Sequence, residues 1–269
     1  MDLNSNLGEG SLRTRVSASR LRIDLNCDLG EGAGHDAALM PLITSANIAC
    51  GAHAGDASTM RATVALANRH GVAIGAHPGF ADREHFGRRE IVLGPEAVRS
   101  IVREQIELLR ALSPVRHVKA HGALYNMAAR DATLAESIAR AVHEIDPALI
   151  IFASANSELA RAALARGLRV ANEVFADRTY QRDGSLTPRS EPGALIHDEH
   201  AAVAQVLRMI REGVVRATDG TDMPIVADTV CLHGDGAAPV EFALRLRAEF
   251  AAAGIEVRAP GERRMTNDE

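Results

Sequence analysis

The chain has no tryptophan, two tyrosines and six phenylalanines in 269 residues. So few aromatic faces argue against a surface that stacks nucleobases or sugar rings. Its cysteines, Cys27, Cys50 and Cys231, are odd in number and far apart, with no C-x-x-C pair. That argues against a disulfide framework and makes a reducing cytoplasm the expected setting. No apolar run approaches the roughly 18 residues of a membrane span, and the N-terminus lacks the apolar core of a secretion signal. The net charge of −5 supplies no basic field for nucleic acid. Lysine is rarer still: Lys119 is the only one among 30 Lys+Arg residues. Arginine is a planar, permanently charged fork, whereas lysine is a compact point charge whose pKa moves on burial. A chain that uses arginine everywhere else for solubility has little reason to keep one lysine on its surface. In His117-Val-Lys-Ala-His-Gly-Ala-Leu-Tyr-Asn126 the apolar Val118 precedes it. The stretch reads as a strand end that delivers a cation into a pocket.

What is present is ordinary globular composition, 46% hydrophobic and 24% charged. Residues 2–10 (D-L-N-S-N-L-G-E-G) nearly repeat residues 24–32 (D-L-N-C-D-L-G-E-G), but only the second copy runs into patterned sequence. Residues 1–20 are therefore read as an extension, expected to be mobile. Residues 21–260 are read as one domain and 261–269 as a polar tail. From Leu21 a single unit recurs: a short apolar run, a polar and glycine-containing turn, then a helical stretch. The runs are Ile23–Leu25, Ala46–Ala49, Val72–Gly75, Val118, Leu149–Ala153, Val170–Phe175 and Ile225–Leu232. The helical stretches are Ala57–His70, Pro95–Leu112, Asp131–Ile145, Ser157–Arg166, Asp198–Glu212 and Pro239–Ala253, with Gly71, Gly167, Gly213 and Gly254 at stop positions. Strands alternating with helices predict an α/β fold with a parallel sheet, closed or nearly closed into a barrel. A doubly wound open sheet is the alternative.

In a parallel β/α barrel the C-terminal strand ends share one face, where active sites are built. That face would collect Asp24, Asn26, Asp28, Glu31, Asn47, His53, Asp56, His77, Lys119, His121, Arg178, Tyr180, His233 and Asp235. Each has a plainer reading: Asp28 or Asp56 as a helix cap, His53 or His77 as a core histidine, Asp235 as an arginine's partner. The Gly51–Gly55 stretch opens a helix, and its backbone N–H groups could cradle an anion. Arg88, in Phe86-Gly-Arg-Arg89, could clamp an anion or be a solvated basic turn. Asp28, His53, His77, His121 and His233 could surround a divalent ion, but no H-E-x-x-H spacing supports it and the metal stays unassigned. No G-K-[ST] phosphate loop occurs.

The ordered set D-L-N-C-D-L-G-E-G, S-A-N-I-A-C-G-A-H-A-G-D, G-A-H-P-G-F, F-G-R-R, V-K-A-H-G-A-L-Y-N, F-A-D-R-T-Y and L-H-G-D resembles the LamB/YcsF family, from about Ile23 to Ala259. Members form the A subunit of a bacterial ATP-dependent 5-oxoprolinase. Ala120 stands where the family commonly has proline, and Ala52 where it commonly has phenylalanine; neither removes a reactive group. The resemblance implies a distorted (β/α)7 barrel, TIM-like and similar to polysaccharide deacetylase and glycoside hydrolase barrels. It implies cleavage of 5-oxoproline to L-glutamate with ATP going to ADP and phosphate, ATP and Mg²⁺ as cofactors, and subunits B and C as partners. Such chemistry needs cations around a transferring phosphate and a base to activate water. The expected catalytic set is Asp24, Asp28, Glu31, His53, His77, Lys119 and His121. Lys119 and Arg178 would neutralise phosphate, an acid among Asp24, Asp28 and Glu31 would hold Mg²⁺ or act as base, and a histidine would shuttle protons. The expected binding set is Asn26, Asn47, Gly51, Gly55, Asp56, Arg88, Asn126, Arg178, Tyr180, His233 and Asp235. Two other functions fit the same residues: a metal-dependent deacetylase or amidase without ATP, and a non-catalytic binding subunit.

Overall fold

Residues 21–232 and 238–261 are described by a computed structural model. The expected extension 1–20, His233, Asp235 and residues 262–269 of the expected tail lie outside the described residues.

The apolar runs become the strands β1 (Arg22–Leu29), β2 (Ser45–Ala49), β3 (Ala73–His77), β4 (His117–Lys119), β5 (Ile150–Ser154) and β6 (Arg169–Phe175). They continue with β7 (Val214–Arg216), β8 (Asp222–Pro224), β9 (Thr229–Leu232) and β10 (Glu256–Val257). The helices are α1 (Asp36–Leu39), α2 (Ala57–His70), α3 (Pro95–Arg110), α4 (Gly122–Ala128), α5 (Ala132–Ile145), α6 (Glu158–Ala165), α7 (Glu199–Glu212) and α8 (Pro239–Ala252). Local chemistry explains their ends. Asp56, Asp131, Ser157 and Asp198 each accept backbone N–H bonds at the start of α2, α5, α6 and α7. Gly71 and Gly213 stop α2 and α7 in the left-handed conformation. No helix among the described residues is long and apolar enough to cross a membrane.

Strands β1 to β6 pair in sequence order and in parallel, and β9 pairs with both β6 and β1, so seven strands close into a barrel. The open doubly wound sheet is thereby excluded. β10 joins only the first residues of β1, at the base. The run Ile225–Leu232 does not fold as one strand: Thr229–Leu232 enters the barrel, while β8 before it makes an antiparallel hairpin with β7. Asp228 marks the break, with Oδ2 accepting from both the backbone and side-chain nitrogens of Asn172.

Period-two alternation sends Ile23, Leu25, Cys27 and Leu29 of β1 into the helix-facing core, with Ile48, Ile74, Val118, Ile151, Val174 and Val230. The opposite set, Asp24, Asn26 and Asp28, points into the barrel. Bulky aliphatics fill most such barrels. Here the apolar filling is a small plug of Ile150, Phe152 and Ala171, with His117 stacked on Phe152 at a centroid distance of 4.1 Å. Gly75 makes room for that imidazole: a Cβ there would lie 2.0 Å from His117 Nε2.

The remainder of the interior is a hydrogen-bonded polar column, tolerable in low dielectric because most of its polar atoms find partners within it, with Glu173 Oε2 buried and without a hydrogen bond. At its base Asp24 accepts from Thr44 Oγ1 (2.6 Å), Ser45 Oγ (2.8 Å) and Thr229 Oγ1 (2.6 Å). Burial pushes the Asp24 carboxyl up to about 6, against the pull of these hydroxyls. The native state then keeps, between about pH 4 and 6, a proton that the unfolded chain has released. Stability from this group is complete below the unfolded pKa and is lost as pH rises through the folded one. Relative to Asp24→Asn, the wild type should lose about 3 kcal/mol of unfolding free energy between about pH 4 and pH 7, on the scale of roughly 1.36 kcal/mol per pKa unit. Urea melts of both proteins at several pH values measure it, and a constant difference would refute it.

Candidate functional site

Above Asp24 the column rises to the C-terminal rim through amide, carboxylate and ammonium groups. Asn26 Nδ2 donates to Glu173 Oε1 (3.0 Å) and Thr229 Oγ1 (2.7 Å), while its Oδ1 accepts from Asn47 Nδ2 (2.7 Å). Asn47 Nδ2 also donates to Asp28 Oδ1 (2.8 Å), and Asn47 Oδ1 meets His117 Nε2 at 2.9 Å. Lys119 crosses from β4 to the far wall. Its Nζ lies 2.8 Å from Glu173 Oε1 and 2.9 Å from Asp28 Oδ1, and donates to Asn26 Oδ1 and Cys231 Sγ. Strands β4 and β1 are not neighbours, so these contacts pass through the barrel interior.

The lone lysine is thus 3% exposed. Burial disfavours its charge, but the Asp28 and Glu173 carboxylates outweigh burial and hold the ammonium well above its usual pKa. Burial likewise works against the Asp28 charge, and His77 with Lys119 overcomes it, so the carboxyl stays well below the usual range. Burial pushes the Cys231 thiol well up, and takes His117 down to about 3 with help from Lys119. Cys231 is therefore a neutral acceptor wall, not a nucleophile.

The loops above the strands bring Glu31, His53 and His121 to the same rim as His77. The β1–α1 and β2–α2 loops touch: a Cβ at Gly55, where φ is +68°, would sit 2.6 Å from Gly30 O. Only glycine allows this approach, and it sets His53 Nε2 3.2 Å from Glu31 Oε1. His121 Nδ1 lies 3.2 Å from the same oxygen and 2.9 Å from His77 Nε2. His77 Nε2 is also 3.4 Å from Asp28 Oδ2. The His53 and His121 rings stack at 3.7 Å. Burial opposes the Glu31 charge, yet bonds to His121 and His53 with the charge of His77 bring it down to about 2. Burial lowers His53 to about 4. For His77 burial pulls down, but Asp28 and Glu31 prevail and raise it. Asp28 and Glu31 are the members that touch solvent, with side chains 17% and 10% exposed. Gln105 of α3 clamps the adjoining loop, accepting from Gly79 N (3.0 Å) and donating to Gly79 O (2.8 Å).

Of the expected residues, Asn26, Asp28, Glu31, Asn47, His53, His77, Lys119 and His121 converge. Several others do not. Asp24 is sealed at the opposite, N-terminal end of the column, which denies it Mg²⁺ or a water to activate. Asp56 is exposed and caps α2, occupying the helix N-terminus where an anion was expected. The Gly51 and Gly55 carbonyls both accept from Arg83 Nη1 at 2.8 Å, so that loop offers acceptors to a cation. Arg178 is buried against the Ala194 and Thr187 carbonyls. Tyr180 Oη accepts from Phe175 N (2.9 Å) and so fastens the end of β6. Arg88 is exposed, 5.0 Å over the Phe86 ring, and Asn126 is exposed on α4. The Lys119 ammonium is matched to two carboxylates rather than to a phosphate. Sequence reasoning missed Glu173, His117, Cys231, Thr229 and Gln105 as members of the site. Glu173, which with Asn172 breaks the apolar run Val170–Phe175, was the one with a signal.

The LamB/YcsF family model matches residues 23–265. The chain is 53% identical over 255 residues to the 5-oxoprolinase A subunit of Bacillus subtilis (strain 168), covering 91% of this chain and 99% of that one. It is 56% identical over 247 residues to the 5-oxoprolinase A subunit of Geobacillus kaustophilus (strain HTA426), covering 88% and 96%. Among solved structures it is similar to the lactam utilization protein from Thermus thermophilus, with a TM-score of 0.83, 45% identity and coverage of 88% and 99%. With the family model spanning nearly the whole described barrel and these identities along its length, the chain belongs to the LamB/YcsF family.

Proposed function

We propose that this chain is the lactam-opening subunit of a 5-oxoprolinase, acting with subunits B and C to convert 5-oxoproline to L-glutamate while ATP goes to ADP and phosphate. The observation that carries the reading is Asp28: an ionised carboxylate at the mouth of the barrel, oriented by Lys119 and Asn47 through one oxygen. Its other oxygen lies 3.4 Å from His77 Nε2 at the rim. A lactam is resonance-stabilised, and coupling to phosphoryl transfer turns its carbonyl carbon into an electrophile. Asp28 Oδ2 then accepts a proton from the attacking water. The same carboxyl returns it to the ring nitrogen as the C–N bond breaks, so one group serves as base and then acid; the opened chain is left as an acyl phosphate, which a second water cleaves to L-glutamate and phosphate. Lys119 and Asn47 keep the carboxylate ionised and aimed, which places both in positioning roles.

The charge balance bears on ATP. Asp28, Glu31 and Glu173 face a single ammonium, and Arg178 is committed to carbonyls. A small ring bearing a single carboxylate brings far less negative charge into that environment than a triphosphate does. ATP and its Mg²⁺ are therefore assigned in this proposal to sites built mainly by subunits B and C. The test is reconstitution with those subunits. Glutamate and ADP should form together, only when all three chains, 5-oxoproline and ATP are present. Glutamate formation without ATP would favour an ATP-independent amidase, and turnover by B and C alone would leave this chain a binding subunit.

A further inference from the structure

The rim cluster carries chemistry that the ring-opening reading does not use. Glu31, His53, His77 and His121 each offer one ligand atom, and these atoms all lie within 4.8 Å of one another. His77 Nδ1 is 2.8 Å from the Lys119 carbonyl oxygen, and His121 Nε2 is 2.8 Å from that of Phe86. A carbonyl only accepts, so both of these nitrogens carry hydrogen. In the neutral rings the lone pairs are then on His77 Nε2 and His121 Nδ1, which face each other at 2.9 Å. Two lone pairs at that distance repel each other, and a cation beside both turns the repulsion into attraction. Glu31 Oε1 adds a negative charge 3.2 Å from His121 Nδ1, 3.2 Å from His53 Nε2 and 3.7 Å from His77 Nε2. Four of the six separations, 2.9 to 3.7 Å, bracket the edge of about 3.3 Å in a tetrahedron of nitrogen and oxygen ligands with bonds near roughly 2.0 Å, and the two that involve His53 with another imidazole stay within the 4.8 Å limit of the cluster. The surroundings hold the rings in place. A Cβ at Gly87 would come within 2.8 Å of His53 Cβ and 3.0 Å of His121 Cδ2. Three carboxylates against one ammonium leave two negative charges over in this layer.

We propose that Glu31, His53, His77 and His121 bind one divalent first-row transition ion of the zinc class. Three imidazoles with one carboxylate select such an ion over Mg²⁺ or Ca²⁺, which take oxygen ligands. For His77 and His121, ring N–H groups held by backbone carbonyls are the arrangement that fixes a metal-binding imidazole's tautomer and direction, whereas the buried His53 Nδ1 has no hydrogen-bond partner. The site stands apart from the lactam reading, because binding is measured without turnover. The competing occupant of the same space is a shared proton.

The test uses the untagged full chain, stripped with chelator and dialysed. Calorimetric titration with Zn²⁺ should show one equivalent bound. Co²⁺ should give the visible d–d absorption of a four-coordinate ion and lose it when Zn²⁺ is added. His121→Ala and Glu31→Gln should each weaken Zn²⁺ binding by about 100-fold or more, at least the effect of losing an outer-shell partner. His70→Ala, at the exposed end of α2, should leave it unchanged. Circular dichroism shows which variants are folded, and Glu31→Gln at the solvent-touching edge carries the test should His121→Ala fail to fold. Folded wild type that binds no stoichiometric Zn²⁺ and gives no cobalt spectrum overturns the proposal in favour of the proton. Equal weakening by His70→Ala overturns it in favour of surface binding.

Discussion

Asp28→Asn should lower the turnover of the assembled enzyme by about 10²–10⁴-fold, the range for removing a positioned general base. The substitution keeps the shape of the side chain. The amide oxygen still accepts from Lys119 Nζ and Asn47 Nδ2, now 2.9 and 2.8 Å from Asp28 Oδ1. The amide nitrogen falls where Oδ2 was, 3.4 Å from His77 Nε2, and can donate to it. The column therefore stays filled and hydrogen-bonded, and what disappears is the ability to accept a proton from water. The loss should appear in kcat, with KM changed far less, because binding of the ring does not depend on that proton transfer. Steady-state glutamate release with subunits B and C, alongside a thermal melt of the variant, measures both. Turnover within about threefold of wild type would remove Asp28 from the base role.

Lys119→Met should cost about 3–5 kcal/mol of folding stability, the usual loss when a buried ion pair is broken from one side. Methionine fills much of the same volume, so little of the loss is packing. It comes from charge: Glu173 is 0% exposed, and the ammonium 2.8 Å away is its cationic partner in the column. Asp28 loses the same partner, but it touches solvent and keeps Asn47 and His77. Adding Glu173→Gln to Lys119→Met should thus recover a large part of the deficit, since the deepest uncompensated charge is gone. Lys119→Arg should not rescue, because a planar fork cannot occupy a site that four acceptors have shaped around a point charge. A loss of this size is a large share of the roughly 5–15 kcal/mol that hold a domain folded. Urea unfolding of the four proteins tests it. A Lys119→Met variant within about 1 kcal/mol of wild type would mean that the carboxylates are protonated and the pair is not ionic.

These two outcomes separate roles that look alike in sequence. Asp28 and Lys119 are both charged residues at strand ends. The one touches solvent and can meet a substrate, while the other is enclosed by acceptors and holds the first in place. The same distinction divides the expected site. His53, His77, His121 and Glu31 meet at the mouth, whereas Asp24, from the same strand as Asp28, ends at the sealed base. The two lie four positions apart on β1, and in a barrel that rise carries a side chain from one end of the interior toward the other.

Much was determined by local chemistry. Asp56, Asp131, Ser157 and Asp198 begin helices because their side chains satisfy backbone N–H groups that have no other partner. Apolar runs with period-two alternation form strands, and strands alternating with helices pair in parallel. The isolated lysine between Val118 and His121 marked the centre of the site for a reason internal to composition: arginine was available everywhere else. The polar turns after the strands marked the rim, because parallel strands end on one side. The tertiary structure alone decided which polar groups look inward and at what height. Glu173 lies 54 positions beyond Lys119 and meets it because only β5 separates β6 from β4 and the curved sheet turns both side chains into the interior. Arg178 and Tyr180 follow the same strand, yet they turn to backbone partners, and no spacing rule separates a guanidinium that holds a carbonyl from one that would hold an anion. Helix caps and strand patterns are settled within a few residues of chain. Charge neutralisation in a low-dielectric interior is settled by groups far apart along the chain, and it exists only once the barrel has closed.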